Sequence, residues 1–174
     1  MFKRINNNID FAENENKISD YWNEINAFEK SLDIRKDSKI FRFYDGPPFP
    51  TGSPHYGNLL AGVIKDIVPR YWTMRGFFVE RRFGWDVHGL PIEMEVQKEL
   101  GLEDPQDIDD YGIDKFNEAC RSQVQTNTEN WEKITRKIGR WVDFENDYKT
   151  MDVGFMESVW WVFKELYDKG LIYK

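Results

Sequence analysis

His55 and Asn58 are the side chains of this 174-residue sequence whose spacing most directly suggests chemistry. They lie three residues apart at the start of a strongly periodic segment, so on a helix they share a face and can donate to one anionic group. A turn rich in proline and glycine, residues 45–54, precedes them and brings backbone close to a ligand. Because a helix N-terminus offers unpaired N–H groups to phosphate, the pattern predicts an ATP phosphate site at residues 45–58.

A second candidate site is the loop of residues 84–93, which carries Asp86, His88 and Glu93 between glycine and proline residues. An aspartate at this place can pair with an ammonium group and hold it near the phosphate site. Asp86 and His88 can equally cap backbone groups of the loop, as such residues often do. The residues alone leave both interpretations open.

The elements predicted around these two loops form one βαβ unit. Apolar runs indicate buried strands at 40–45 and 77–83, and paired apolar positions every four residues indicate a helix over 57–75. Pro69 should kink that helix, and Gly76 should end it. Such a unit implies a parallel sheet, and both loops leave the carboxyl ends of its strands, where ligands of open α/β sheets bind.

Further helices are predicted on both sides of this unit. Residues 10–32 carry an amphipathic stripe with Asp10 as a candidate cap, and Asp152 can cap a last helix that ends at Gly170. The aromatic stripe of that last helix is expected to be core: Trp160, Trp161, Phe163 and Tyr167. The remaining ranges are loops at 33–39 and 101–110, a short helix at 92–100 and a long helix at 112–141. Two parallel strands are too few to stand alone, so the chain is expected to be a piece of a larger α/β domain.

Composition excludes several functional classes. A chain with 40% hydrophobic and 32% charged residues is expected to fold, and its net charge of -7 argues against a domain that grips nucleic acid by itself. The clustered basic residues are interpreted as a solvated helix face plus a loop: Lys65, Arg70, Arg75, Arg81 and Arg82. No apolar run suits a membrane span or a signal peptide, so a cytoplasmic protein is expected. Cys120, the only cysteine, is interpreted as an inert core thiol, and no metal site is expected from two histidines without a partner at ligand spacing.

Together the two motifs resemble the N-terminal part of class I aminoacyl-tRNA synthetases, and most closely the isoleucyl-tRNA synthetase family. Residues 55–58 match the class signature His-Ile-Gly-His, with Tyr56 and Asn58 at its second and fourth places. Residues 45–48 and 84–93 are the segments that point to isoleucine. The resemblance covers nearly the whole chain, since it continues through residues 141–143, 150–152 and 157–161.

The resemblance implies an α/β fold. Residues 40–174 would form the first half of a Rossmann-like nucleotide-binding catalytic domain, with parallel strands and flanking helices, and residues 1–39 an N-terminal helical extension. The family's second signature, Lys-Met-Ser-Lys-Ser, and its editing and anticodon-binding domains do not occur in this sequence. Since one methylene gives a binding difference of only ~1–3 kcal/mol between isoleucine and valine, this segment alone is not expected to edit.

The resemblance also implies a reaction and its partners. The isoleucine carboxylate would attack the α-phosphate of ATP, with Mg²⁺ on the phosphates, and the isoleucyl group would then pass to tRNA(Ile). The tRNA would be bound mostly by regions outside this chain. A monomer is expected at full length, with no membrane partner and no metal ligated by this segment.

The family pattern assigns the nucleotide to residues around the signature. His55 and Asn58 would stabilise charge on the phosphate oxygens, while Pro48 and Gly57 would border ATP and let it lie close. Asn58 in place of histidine keeps a neutral N–H donor but cannot become a cation, so nucleotide binding is expected to be retained and weaker. Tyr56 should matter less.

The same pattern assigns isoleucine to both motifs. Gly46 and Pro47 would border its side chain, and Asp86 would hold its ammonium group. His88 and Glu93 belong to the same loop and receive a supporting role.

Two alternatives stay open. The chain could be a truncated, non-catalytic fragment that at most binds ATP weakly or acts as a folding or interaction unit. Another specificity, such as valine, methionine or leucine, is disfavoured by Asp86, His88 and the pair Leu90 and Pro91.

Overall fold

The computed structural model describes residues 9–174, and helices flank a small parallel sheet in this part of the chain. In chain order the elements are α1 (Phe11–Glu24), α2 (Ala27–Asp33), α3 (Tyr56–Met74), β1 (Arg82–Trp85), α4 (Leu90–Leu100), α5 (Pro105–Tyr111), α6 (Ile113–Lys137), β2 (Asp143–Lys149) and α7 (Val153–Asp168). The α/β class predicted from the sequence, with parallel strands and flanking helices, is confirmed.

The predicted strand at 40–45 is wrong. This segment forms a single parallel bridge, Ile40 with Phe78, in which the Phe41 N–H donates to the Phe78 carbonyl at 2.9 Å. Side-chain packing contributes to holding this segment in place, since the Phe41 ring stacks on Trp72 with centroids 4.7 Å apart. The bridge is nevertheless parallel, as predicted for the two segments that precede and follow α3.

The strand expected at 77–83 begins later, at Arg82, and runs to Trp85 inside the second motif. Its partner is β2, a strand that the sequence did not predict because its residues are largely polar. Gly84 permits this pairing, since a Cβ atom there would overlap the ring of Tyr148 on β2. The sheet therefore brings the second motif against the segment that follows α6.

The predicted N-terminal helix divides into α1 and α2 at Asn26, whose φ of 49° lies in the left-handed region. Asp10 caps α1 as predicted, accepting from the Glu13 N–H at 3.0 Å. The acidic range expected to be a loop contains α5. Its start is fixed by Pro105 in the first turn and by the Asp107 carboxylate, which accepts from two backbone N–H groups and thereby has a lowered pKa.

The hydrophobic core lies among β1, β2, α4 and α6. Its buried members are Phe83, Trp85, Val87, Ile92, Val96, Phe116, Val124, Trp131, Val142 and Phe144. Phe83 and Phe144 stack across the two strands with centroids 4.6 Å apart. Because Trp85 and Val87 belong to this core, the loop that contains Asp86 starts from a rigid base.

The prediction that the basic cluster is a solvated face is wrong for Arg81. It is 2% exposed and donates to the Thr73 hydroxyl at 2.6 Å, and burial lowers its pKa to about 10. Arg70 lies 4.2 Å from the centre of the Trp141 ring, which also packs against Trp22 of α1. Part of the basic cluster thus joins the N-terminal helices to the body of the fold.

The aromatic stripe of α7 is not core among the described residues, contrary to the prediction. Trp160 is 70% exposed and Trp161 is 63% exposed, and α7 has no buried residue. Tyr148 packs against α7, since its ring stacks on Phe155 with centroids 5.8 Å apart. Within residues 9–174, no helix is long and apolar enough to cross a membrane.

Candidate active site

The first motif, residues 45–58, is anchored at its start by the carboxylate of Asp45. That side chain is 1% exposed and forms ion pairs with Lys65 Nζ at 2.7 Å and with the Arg140 guanidinium. Lys65 lies on α3 and also donates to the Gly46 carbonyl oxygen at 2.7 Å. These contacts fix the beginning of the turn between α3 and the segment after α6.

The middle of the turn is held by α6. The indole N–H of Trp131 donates to the Gly52 carbonyl at 2.8 Å, and the Asn130 amide donates to the Ser53 hydroxyl at 3.2 Å. Sequence reasoning missed this role because Trp131 falls on the apolar stripe of the long helix. A buried indole N–H usually has a hydrogen-bond partner, so the expected burial of Trp131 was the available sequence signal for this contact.

The start of α3 is a reciprocal cap made by the two predicted catalytic residues. His55 Nδ1 accepts from the Gly57 N–H at 3.1 Å, and Asn58 Oδ1 accepts from the His55 N–H at 3.0 Å. A neutral His55 that accepts at Nδ1 carries its proton on Nε2, and the Asn58 amide nitrogen keeps its two donor hydrogens. Both side chains can therefore donate to an anion while they cap the helix.

Gly57 has a steric reason to be glycine at this helix start. A Cβ atom there would lie 3.0 Å from His55 Cε1, so a larger residue would push the imidazole away. His55 and Gly57 are exposed, and Asn58 is half-buried. The N-terminal turn of α3 is thus open to a ligand.

The two motifs meet through one backbone hydrogen bond. The Asp86 N–H donates to the Pro48 carbonyl at 2.9 Å, so the predicted ammonium-binding residue lies directly beside the predicted nucleotide-binding turn. The half-buried Asp86 carboxylate accepts from the hydroxyl of Thr150 at 3.3 Å. The sequence did not single out Thr150, which follows β2 and becomes a neighbour of Asp86 only through the pairing of the strands.

A cavity of about 240 Å³ lies between the turn, α3 and α6. Four predicted site residues line it: Gly46, Pro47, Pro48 and Asn58. Lys65, Trp131 and Arg140 contribute to its other walls, while His55, Gly57 and Asp86 lie outside the lining. The single negative charge of Asp45 is paired with the two positive charges of Lys65 and Arg140, so this ionic cluster carries a net positive charge.

His88 and Glu93 line a different cavity, also of about 240 Å³, between the start of α4 and α6. Cys120 lies there too, half-buried, and burial followed by the charge of Glu93 raises the pKa of its thiol. A raised pKa disfavours the reactive thiolate. The structure thus separates these two residues of the second motif from the cavity that contains Pro47 and Asn58.

The described residues contain no group of three or more histidine, cysteine, aspartate or glutamate side chains able to hold a metal ion. The site consists of the capped start of α3 with the donors of His55 and Asn58, the turn that precedes it, and the carboxylate of Asp86 beside that turn. That arrangement suits a polyanionic ligand next to a small ammonium compound.

The α/β fold of the chain is of the class I synthetase type. A leucyl enzyme of that type, solved from Agrobacterium radiobacter K84 as a ternary agnB2 LeuRS–tRNA–LeuAMS complex, superposes over 91% of this chain and 18% of its own, with a TM-score of 0.65 and 22% identity. The family model of class I tRNA synthetases (I, L, M and V) matches residues 17–174. The chain belongs to this family.

Curated relatives match all or nearly all of the chain. Isoleucine–tRNA ligase of Treponema denticola is 53% identical over 174 residues, which is 100% of this chain. The isoleucine–tRNA ligase of Tetrahymena thermophila is 56% identical over 99% of it, and the cytoplasmic one of Saccharomyces cerevisiae 53% identical over 97%. The chain spans 16% of the length of each of these relatives.

Proposed function

We propose that this chain is the N-terminal part of the catalytic domain of an isoleucine–tRNA ligase. In the complete protein it would activate isoleucine with ATP and Mg²⁺ to isoleucyl-adenylate and then pass the isoleucyl group to tRNA(Ile). The complete protein is proposed to act as a monomer in the cytoplasm. The proposal is supported by relatives that carry this name at 53–56% identity over nearly all of the chain.

The observation that carries the proposal is the 2.9 Å hydrogen bond between the Asp86 N–H and the Pro48 carbonyl. It puts a carboxylate suited to an ammonium group beside a turn suited to a nucleotide. Adenylate formation needs this neighbourhood, because the amino acid carboxylate must reach the α-phosphate in line. The ammonium contact with Asp86 would orient the amino acid for that attack.

His55 and Asn58 take the catalytic role in this proposal. Their donors at the start of α3 would stabilise the charge that grows on the phosphate oxygens, with Gly57 and Pro48 bordering the nucleotide. Gly46 and Pro47 would border the isoleucine side chain. The cavity between the turn and α3 supports a shared site for the two ligands, because Gly46, Pro47, Pro48 and Asn58 all line it.

His88 and Glu93 keep only a supporting role. They line the cavity on the α4 side, so they would act by shaping the loop that carries Asp86. Substitution of either residue should therefore change activation less than substitution of Asp86.

Amino-acid-dependent ATP–pyrophosphate exchange tests the proposal. The complete product of the gene that encodes this chain would be assayed with isoleucine, valine, leucine and methionine, and the purified chain would be assayed beside it. His55→Ala should lower the exchange rate much more than it lowers isoleucine affinity, because its contact tightens in the transition state. Asp10→Ala is the matched control, since it also removes a helix cap, at α1.

Exchange that requires isoleucine and His55 supports the function. Exchange with valine, leucine or methionine in preference to isoleucine contradicts the specificity. A folded gene product without exchange contradicts the activity and favours the non-catalytic alternative. Exchange by the complete product but not by the 174-residue chain assigns the remaining catalytic groups to other parts of the protein.

A further inference from the structure

The hydroxyl group of Thr150 forms two hydrogen bonds with residues of the second motif. Its Oγ1 accepts from the Val87 N–H at 3.0 Å and donates to Asp86 Oδ1 at 3.3 Å. Its own N–H donates to the Trp85 carbonyl at 2.9 Å. Three successive residues of the motif, 85–87, are therefore connected to this one threonine.

The surroundings make these contacts rigid. Thr150 is 6% exposed, and its two backbone partners, Trp85 and Val87, are 1% and 2% exposed. A buried N–H group such as that of Val87 needs an acceptor, so the direction of the hydroxyl is determined: it accepts from Val87 and gives its hydrogen to Asp86.

We propose that Thr150 is the positioning residue that orients the Asp86 carboxylate for the amino acid ammonium group. The inference rests on the proposed function, in which Asp86 holds that group. Backbone contacts fix where the Asp86 main chain lies, since its N–H is bonded to Pro48, but they leave the carboxylate free to rotate. The Thr150 hydroxyl occupies Oδ1 and leaves Oδ2 to face the ligand. Thr150 itself touches no substrate.

Three variants test this inference in the complete gene product. Thr150→Val keeps the shape and replaces the hydroxyl with a methyl group. Thr150→Ala removes both the hydroxyl and the native methyl group, and Thr150→Ser removes only the methyl group and keeps the hydroxyl. Thr126→Val is the matched control, because Thr126 is an exposed threonine whose hydroxyl donates to the Ser122 carbonyl of its own helix. The kinetic constants for isoleucine and for ATP would be measured separately in pyrophosphate exchange.

We expect the KM for isoleucine to rise about tenfold in Thr150→Val and Thr150→Ala, which corresponds to about 1.4 kcal/mol. The KM for ATP should change less than twofold, and Thr150→Ser should restore most of the isoleucine KM. In a double-mutant cycle, Thr150→Ala should add little to Asp86→Asn, because the carboxylate through which it acts is already lost.

The following results would overturn the inference. Equal losses for isoleucine and ATP in the alanine variant, or additive effects with Asp86→Asn, would show that Thr150 only supports the fold. If Thr150→Val does not fold, the alanine and serine variants still decide, since serine must behave as the native protein and alanine must not. Absence of isoleucine-dependent exchange in the native protein overturns the proposed function and this inference together, whereas native exchange with an unchanged isoleucine KM in the alanine variant overturns the role of Thr150 alone.

Discussion

The indole N–H of Trp131 lies 2.8 Å from the carbonyl oxygen of Gly52, a residue 79 positions earlier in the chain. Through this hydrogen bond the long helix α6 holds the turn that leads into α3. The geometry of the candidate nucleotide site therefore depends on a helix that carries none of the predicted site residues.

Replacing this tryptophan should loosen the turn and reduce the packing of the core. Trp131→Phe keeps an aromatic ring, leaves the Gly52 carbonyl without its donor and removes part of a ring that is 5% exposed, so we expect the chain to lose about 1–3 kcal/mol of unfolding free energy. The KM for ATP should rise severalfold in the complete protein. Denaturant unfolding and pyrophosphate exchange measure the two effects. Trp161→Phe serves as the control, because Trp161 is 63% exposed on α7. An unchanged ATP KM in Trp131→Phe would show that the turn holds its shape without α6.

The buried ion cluster at Asp45 should contribute strongly to stability. Asp45→Asn leaves Arg140, whose side chain is 6% exposed, without its carboxylate, and loss of one partner of a buried pair costs about 3–5 kcal/mol. Lys65 is partly exposed, so the lower end of that range is expected. The matched control is Asp168→Asn, which breaks an exposed pair with Lys164 and should cost less than about 1 kcal/mol. Equal unfolding free energies for the two variants would contradict the prediction.

Tyr148 should make the fold sensitive to high pH. Burial, followed by the nearby charge of Asp45, raises the pKa of its phenol above the ordinary value of 10.0, and the hydroxyl donates to the Asp45 carbonyl at 3.3 Å. The folded state therefore favours the neutral phenol. Its contribution is fully present below pH 10 and is lost as the pH rises above that value, where the unfolded chain ionises first.

Tyr148→Phe tests this pH dependence. The difference in unfolding free energy between the native chain and this variant should be constant from pH 7 to about 9 and should shrink at higher pH. Tyr173→Phe is the control, because Tyr173 is 91% exposed. A difference that stays constant up to pH 11 would show that the phenol keeps its ordinary pKa.

The sequence predicted what depends on local pattern and missed what depends on distant partners. The start of α3 at His55 and the cap at Asp10 follow from nearby residues and were correct. The polar strand β2 was missed because its stability comes from pairing with β1, and the segment 40–45 was overestimated because its apolar run lacks a ladder. The same holds for the site. Its motifs are visible in the sequence, whereas Thr150 approaches Asp86 only after β1 and β2 pair.

Asn58 offers a substitution whose effects on stability and on binding have opposite signs. Asn58→Asp keeps the oxygen that accepts from the His55 N–H and adds a negative charge at the start of α3, where the helix dipole stabilises it by about 0.3–1 kcal/mol. The added charge would repel phosphate, and the substitution would also remove the amide donor. We therefore expect a more stable chain together with at least a tenfold rise in the KM for ATP, measured by thermal unfolding and by pyrophosphate exchange. Asn117→Asp, an exposed change on α6, controls for the added charge. A more stable Asn58→Asp chain with a native KM for ATP would mean that Asn58 caps the helix and does not contact the nucleotide.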